Sequence, residues 1–311
     1  KSYPNLRERW MDTDRVVELA RATALNTEYL GDALPTAWPN LGPEVFSAFF
    51  GVELEYTDET SWAKPLITDW EKTDHVRFSQ DSIYWKKLVE MTNALLEAGK
   101  GLYYVGLTDF HPGADALAAF RDPQDLNTDL LIYPDAVRSL LEYVGETYKT
   151  VFDYFYSWLV KAHQPITCWA AIVSTKKWYV PSNDFSCMIS EQMFRDFFLP
   201  GIIDECRFLE ASIYHLDGPG ALRHLDALLD IPELNAIQWV FGAGNGRASD
   251  WIPVYQRCQA AGKGLQIFAE LDELETLTKY LKPEGVWLSI AGVRDSETAD
   301  RVLNRLKKWV K

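Results

Sequence analysis

From Ala221 onward the chain alternates helix and strand at short, regular intervals, and this alternation constrains the fold more than any other feature. The pattern predicts helix 221–229, strand 236–241, a glycine loop over 242–246, helix 249–261, strand 264–269, helix 271–281, strand 285–290 and helix 296–310. These strands are apolar along their length, as strands covered on both faces are, and the intervening helices imply parallel pairing through crossovers. The stretch ahead of them, Asp184–Gly220, reads as a polar loop, a helix opened by Ser190 and an apolar strand that stops at His215, Asp217 and Gly218.

Upstream the signal is weaker. Helices are expected over 4–30, 44–50, 82–98, 114–120 and 134–163, with strands at 33–38, 63–67, 102–107 and 166–173. About eight strands alternating with helices favour a (β/α)8 TIM barrel over an open doubly wound sheet. The expected organisation is a helical extension over 1–32 followed by a barrel over 33–311.

A formal net charge of -14, from 31 Lys and Arg against 45 Asp and Glu, repels a phosphate backbone, and nucleic acid is not an expected partner. No run of apolar residues reaches the roughly 18 needed to cross a bilayer. Four dispersed cysteines, Cys168, Cys187, Cys206 and Cys258, suit reduced thiols and a cytoplasmic location. The expected ligand is a small molecule, and a homodimer is left open.

In a barrel the chemistry collects at the carboxyl ends of strands. Asp109 and His111, Trp178 and Tyr179, His215 and Asp217, Gln238, Asn245 and Arg247, Glu270, and Arg294 all fall at such ends. His215 and Asp217 stand two apart, so a strand points both to one face, where they would bind a divalent metal with Glu270 or Asp109 as a further ligand, or share acid–base work. Asp109 is the catalytic candidate of its pair. His111, Trp178, Tyr179, Gln238, Asn245, Arg247 and Arg294 are the substrate-binding candidates, the 242–247 glycine loop and its arginine being suited to a carboxylate or phosphate. Each has a plainer account. Asp109–Gly113 makes a turn without function, Asp217 and Glu270 would cap helices, and most aromatics belong to the core.

The run Asp184–Pro200, DFSCMISEQMFRDFFLP, with Tyr214–Gly218 after it, resembles the uroporphyrinogen decarboxylase superfamily. There an Asp-bearing loop precedes a Ser-initiated, Phe-rich helix, and a strand-end His follows. The resemblance extends from about Leu102 to the end. It implies a (β/α)8 barrel and one of two chemistries: decarboxylation without a cofactor, or zinc-dependent transfer of a methyl group from a corrinoid carried by a partner protein.

Decarboxylases of this kind carry an arginine-rich motif after the first strand, where this chain has Trp38–Pro43. The methyltransferases hold zinc through His-x-Cys and a later Cys. Here the first element is His215-Leu216-Asp217, and Ser289–Val293 has no Cys. The resulting expectation is an enzyme of methyl transfer with a corrinoid protein, His215, Asp217 and Glu270 forming a metal site. The alternatives are a decarboxylase, a glycoside hydrolase with Asp217 and Glu270 as paired carboxylates, or a non-catalytic tetrapyrrole-binding barrel.

Overall fold

The alternation after Ala221 is present in the computed structural model, which describes residues 2–311. The chain is mixed α/β and forms two compact units, residues 1–179 and 180–311.

In the first unit, the leading region forms helices Leu6–Trp10 and Thr13–Asn26, split where Asp12 leaves the helical conformation to cap the second. Strand β1 (Thr36–Ala37) pairs in parallel with a later strand of equal length, Tyr104–Val105. Between them lie β2 (Glu53–Tyr56) and β3 (Ser61–Lys64), which pair antiparallel. The strand expected at 63–67 is therefore the second arm of a hairpin and not a barrel strand. Tyr104–Val105 is β4 and Trp178–Tyr179 is β5.

The run 166–173, also expected as a strand, folds back on itself. Ala171 has φ 55, its N–H bonds Cys168 O, and Ile166 and Ser174 exchange both backbone hydrogen bonds at 2.7 and 2.9 Å. Extended pairing is thereby confined to single bridges such as Leu107 with Cys168. Helix Pro134–Lys161 supplies the long wall of this unit, burying Val137, Leu140, Val144, Tyr148, Val151, Phe155 and Leu159 at helical spacing. Against it Phe46, Phe49, Phe50, Trp85 and Phe110 form edge-to-face and tilted ring contacts.

The second unit begins with a 3-10 turn, Asp184–Met188, and a helix that starts at Glu191 with Ser190 as its cap. This helix widens to a π turn over Phe194–Phe198 before resuming at Leu199–Phe208. Pro200 explains the change, because it has no N–H to return to the preceding turn. Four parallel strands follow in spatial order: β6 (Ala211–Asp217), β7 (Ala236–Val240), β8 (Gly264–Glu270) and β9 (Val286–Ala291). Along β6, Ser212, Tyr214 and Leu216 are buried, so Ile213, His215 and Asp217 share the other face. Gly264 is required where it stands, because a Cβ there would lie 2.8 Å from Gly285 O. No described helix is long and apolar enough to cross a membrane.

One buried ion pair ties the first unit together. Arg121 Nε donates to Asp129 Oδ2 at 2.7 Å and its Nη1 to Ile67 O at 3.2 Å, with Asp129 3% exposed. Arg121→Met leaves that carboxylate buried without its counter-charge, which costs about 3 kcal/mol. Urea unfolding followed by tryptophan fluorescence should register the loss. A change under about 1 kcal/mol would mean the pair is solvated and structurally idle.

Candidate functional site

At the end of β6 the chain must turn sharply, and Gly218 makes the turn with φ 78, a conformation other residues adopt only with strain. Gly218 N–H bonds Val240 O at 2.8 Å, which fixes the strand end against β7. His215 is held from the other side by its own N–H to Pro181 O at 2.9 Å, with Ser182 bridged to it in parallel register. These bonds bring the Asp184 turn alongside the strand end. Asp184, His215 and Asp217 each present a ligand atom within 4.8 Å of the others.

The imidazole has a polar neighbour on each side, with a hydrogen bond on the Nδ1 side. Its Nε2 lies 3.8 Å from Asp184 Oδ1. Its Nδ1 is in hydrogen-bond contact with Gln238 Oε1, and Gln238 Nε2 donates to Gln266 Oε1 at 2.9 Å. His215 and Asp217 are half-buried, whereas Asp184 is exposed. Cys187 is exposed on the same turn as Asp184. Partial burial, followed by the nearby Asp184 and Asp217 carboxylates, pushes its thiol above the ordinary range, so it stays protonated beside the acids.

Asp184 was not singled out by spacing, for it sits in a loop with no periodic relation to His215. Glu270, expected as a third ligand, is outside this group. Its side chain caps the turn that begins at Leu271, and Glu273 returns a bond to its backbone N–H. The pairing of His215 with Asp217 on one strand face is as expected, and Asp184 is the third member of the group.

Gln238 is fully buried rather than open to a ligand. Arg247 forms an ion pair with Asp272, and its N–H bonds Asp250 Oδ2 at 2.8 Å. Arg247, expected to serve the glycine loop as an anion ligand, thus meets carboxylates of its own chain. Asn245 is exposed, with its carbonyl accepting from Trp251 Nε1, and Arg294 is exposed. A cleft of about 520 Å³ lies over the ends of β7, β8 and β9, lined by Phe241, Arg247, Phe268, Glu270 and Ile290. Phe268 leaves 48% of its surface exposed there.

In the first unit, Asp109 and His111 approach to 3.5 Å, and both side chains are largely buried. Trp178 and Tyr179 are not pocket walls. Trp178 is 2% exposed with its Nε1 bonded to Ile166 O, and Tyr179 is 0% exposed. Tyr179 Oη accepts from Phe110 N–H at 2.7 Å and donates to Thr108 O, bracing the Asp109 turn from beneath. Glu44 joins this polar group without having been expected. Burial raises its carboxyl above the usual range, opposed by a 2.7 Å hydrogen bond from Ser61 and by His111, and Asp109 adds to the rise.

A raised carboxyl pKa means that the folded state holds the proton more tightly than the unfolded state does. The stability this gives is complete below the unfolded pKa and is lost as pH rises through the folded one. Glu44→Gln should therefore be more stable than the wild-type protein at neutral pH, with the difference closing as pH falls through the carboxylate range. Thermal melts of both proteins across that range measure this, and a gap that widens toward acid would reverse the assignment.

No family model matches the chain, and no curated protein sequence matches it. Among solved structures it is similar to a methyltransferase from Methanosarcina mazei, at a TM-score of 0.61 and 11% identity over 97% of this chain and 87% of that one. At that identity the likeness is one of fold.

Proposed function

We propose that the chain is a methyl-transfer enzyme of the uroporphyrinogen decarboxylase superfamily. In this reading residues 33–311 form a (β/α)8 barrel behind a helical extension over 1–32, and a partner protein's corrinoid is the methyl source. The observation that carries it is the convergence of Asp184, His215 and Asp217 at the end of β6, in a fold similar to that of a methyltransferase.

The donor set is one imidazole nitrogen and two carboxylates. It fits a divalent ion content with nitrogen and oxygen ligands, zinc or a harder ion, and it differs from the thiolate set of the related zinc enzymes. When bound, such an ion supplies Lewis acidity that keeps an acceptor group deprotonated at neutral pH. The chain's own residues do the rest. Asp184 and Asp217 provide the negative charge and His215 a nitrogen held by Gln238, and the cleft over the ends of β7, β8 and β9, lined in part by Phe241 and Phe268, is proposed as the space for a small acceptor. Asp109 and His111 are proposed as polar groups for substrate.

Decarboxylation of an anionic substrate calls for an arginine free to grip a carboxylate. Arg247 is committed to Asp272 and Arg294 is exposed, so neither favours that reading.

Calorimetric titration with Zn2+ or Mn2+ should give one ion per chain. His215→Ala and Asp217→Ala should each lose more than the roughly 10–100-fold expected of an outer-shell change, while Glu270→Gln binds as the wild type does. With methylcobalamin and a thiol acceptor, the wild-type protein should bleach the methyl–cobalt absorbance and His215→Ala should not. Failure of the wild-type protein both to bind an ion and to demethylate cobalamin would end the proposal.

A further inference from the structure

The backbone register places three polar side chains in one row. His215 pairs with Gln238 across β6 and β7, and Gln238 pairs with Gln266 across β7 and β8. Neighbouring parallel strands lie about 4.8 Å apart and in-register residues point to the same face, so the three side chains sit side by side. Both glutamines are 1% exposed. Amides so deeply buried are held by hydrogen bonds, and their orientation is set by the partners they meet.

That orientation has a direction. Gln238 Nε2 donates to Gln266 Oε1 at 2.9 Å, which turns Gln238 Oε1 toward His215 Nδ1. An amide oxygen carries no hydrogen, so the imidazole must supply the one between them. In the neutral ring the proton then sits on Nδ1 and the lone pair on Nε2. Nε2 faces Asp184 Oδ1 at 3.8 Å, longer than a hydrogen bond. A lone pair opposite carboxylates is repulsive on its own and becomes favourable when a cation lies between them. The opposite rotation of both amides would put the proton on Nε2 and leave a plain histidine–carboxylate pair.

We propose that Gln238 and Gln266 are positioning residues that lock His215 in its Nδ1–H tautomer and so aim the Nε2 lone pair at Asp184. The use of that lone pair as a metal ligand rests on the proposed metal site, whereas the tautomer itself does not. An outer-shell carbonyl on the far nitrogen of a ligating imidazole fixes its orientation, and its loss weakens metal affinity by roughly 10–100-fold.

The test reads the tautomer directly. Long-range proton–nitrogen spectra of metal-free protein with 15N-labelled histidine, taken at alkaline pH, distinguish the two forms, and His215→Gln identifies the resonance. The wild-type protein should show Nδ1–H. Gln238→Leu should shift the ring toward Nε2–H and lower affinity for Zn2+ or Mn2+ by about 10–100-fold. Gln238→Glu keeps the acceptor and should restore both properties.

An Nε2–H ring in the wild-type protein would overturn the inference without requiring any variant to fold. So would a tautomer unchanged in a folded Gln238→Leu. If no form binds either ion but the wild-type ring is Nδ1–H and Gln238→Leu releases it, the positioning role stands and the metal reading falls.

Discussion

The register between β6, β7 and β8 is the constraint on which the site depends. Strand side chains alternate faces with a period of two, so a slip of one residue in β7 would carry Gln238 to the opposite face and bring a neighbour into its place. The surroundings show how firmly that slip is excluded. Ile237 and Trp239, which flank Gln238, are themselves buried, and Gly264 admits the close approach of Gly285 at the start of β8. The packing that orders the sheet thus also determines which polar atoms meet at His215.

Much of the second unit was legible in the sequence because its strands are five to seven residues long and its helices follow at once. Periodicity over that length is a usable signal, and the shared face of His215 and Asp217 follows from it. The first unit offered less. Strands of two residues, such as β1 and β4, are too short for alternation to show, and Ala171 reverses a run that its composition marks as extended. Tertiary packing, and not local preference, decides the course of the chain there.

The site residues divide in the same way. Asp184 reaches His215 through a loop, and no spacing rule connects a loop to a strand end. Glu270 stands where a ligand would, but its partner Glu273 lies within the next turn and claims it as a cap. Glu273 Oε1 also accepts from Ser249 N and Oγ, both at 2.8 Å, so one buried carboxylate joins the segment after β7 to the end of β8. Trp178 and Tyr179 border a polar loop in the sequence and a packed core in space, a difference that appears only when the side chains are placed.

The glycine loop after β7 carries its counter-anions with it. Asp250 is three residues from Arg247 and bonds its N–H, and Asp272 holds the guanidinium. A carboxylate tethered by so short a segment competes at an effective concentration in the roughly millimolar range or above. A free phosphate or carboxylate approaching Arg247 would compete with both. The acids that meet Arg247 are thereby part of the chain itself and not of a ligand.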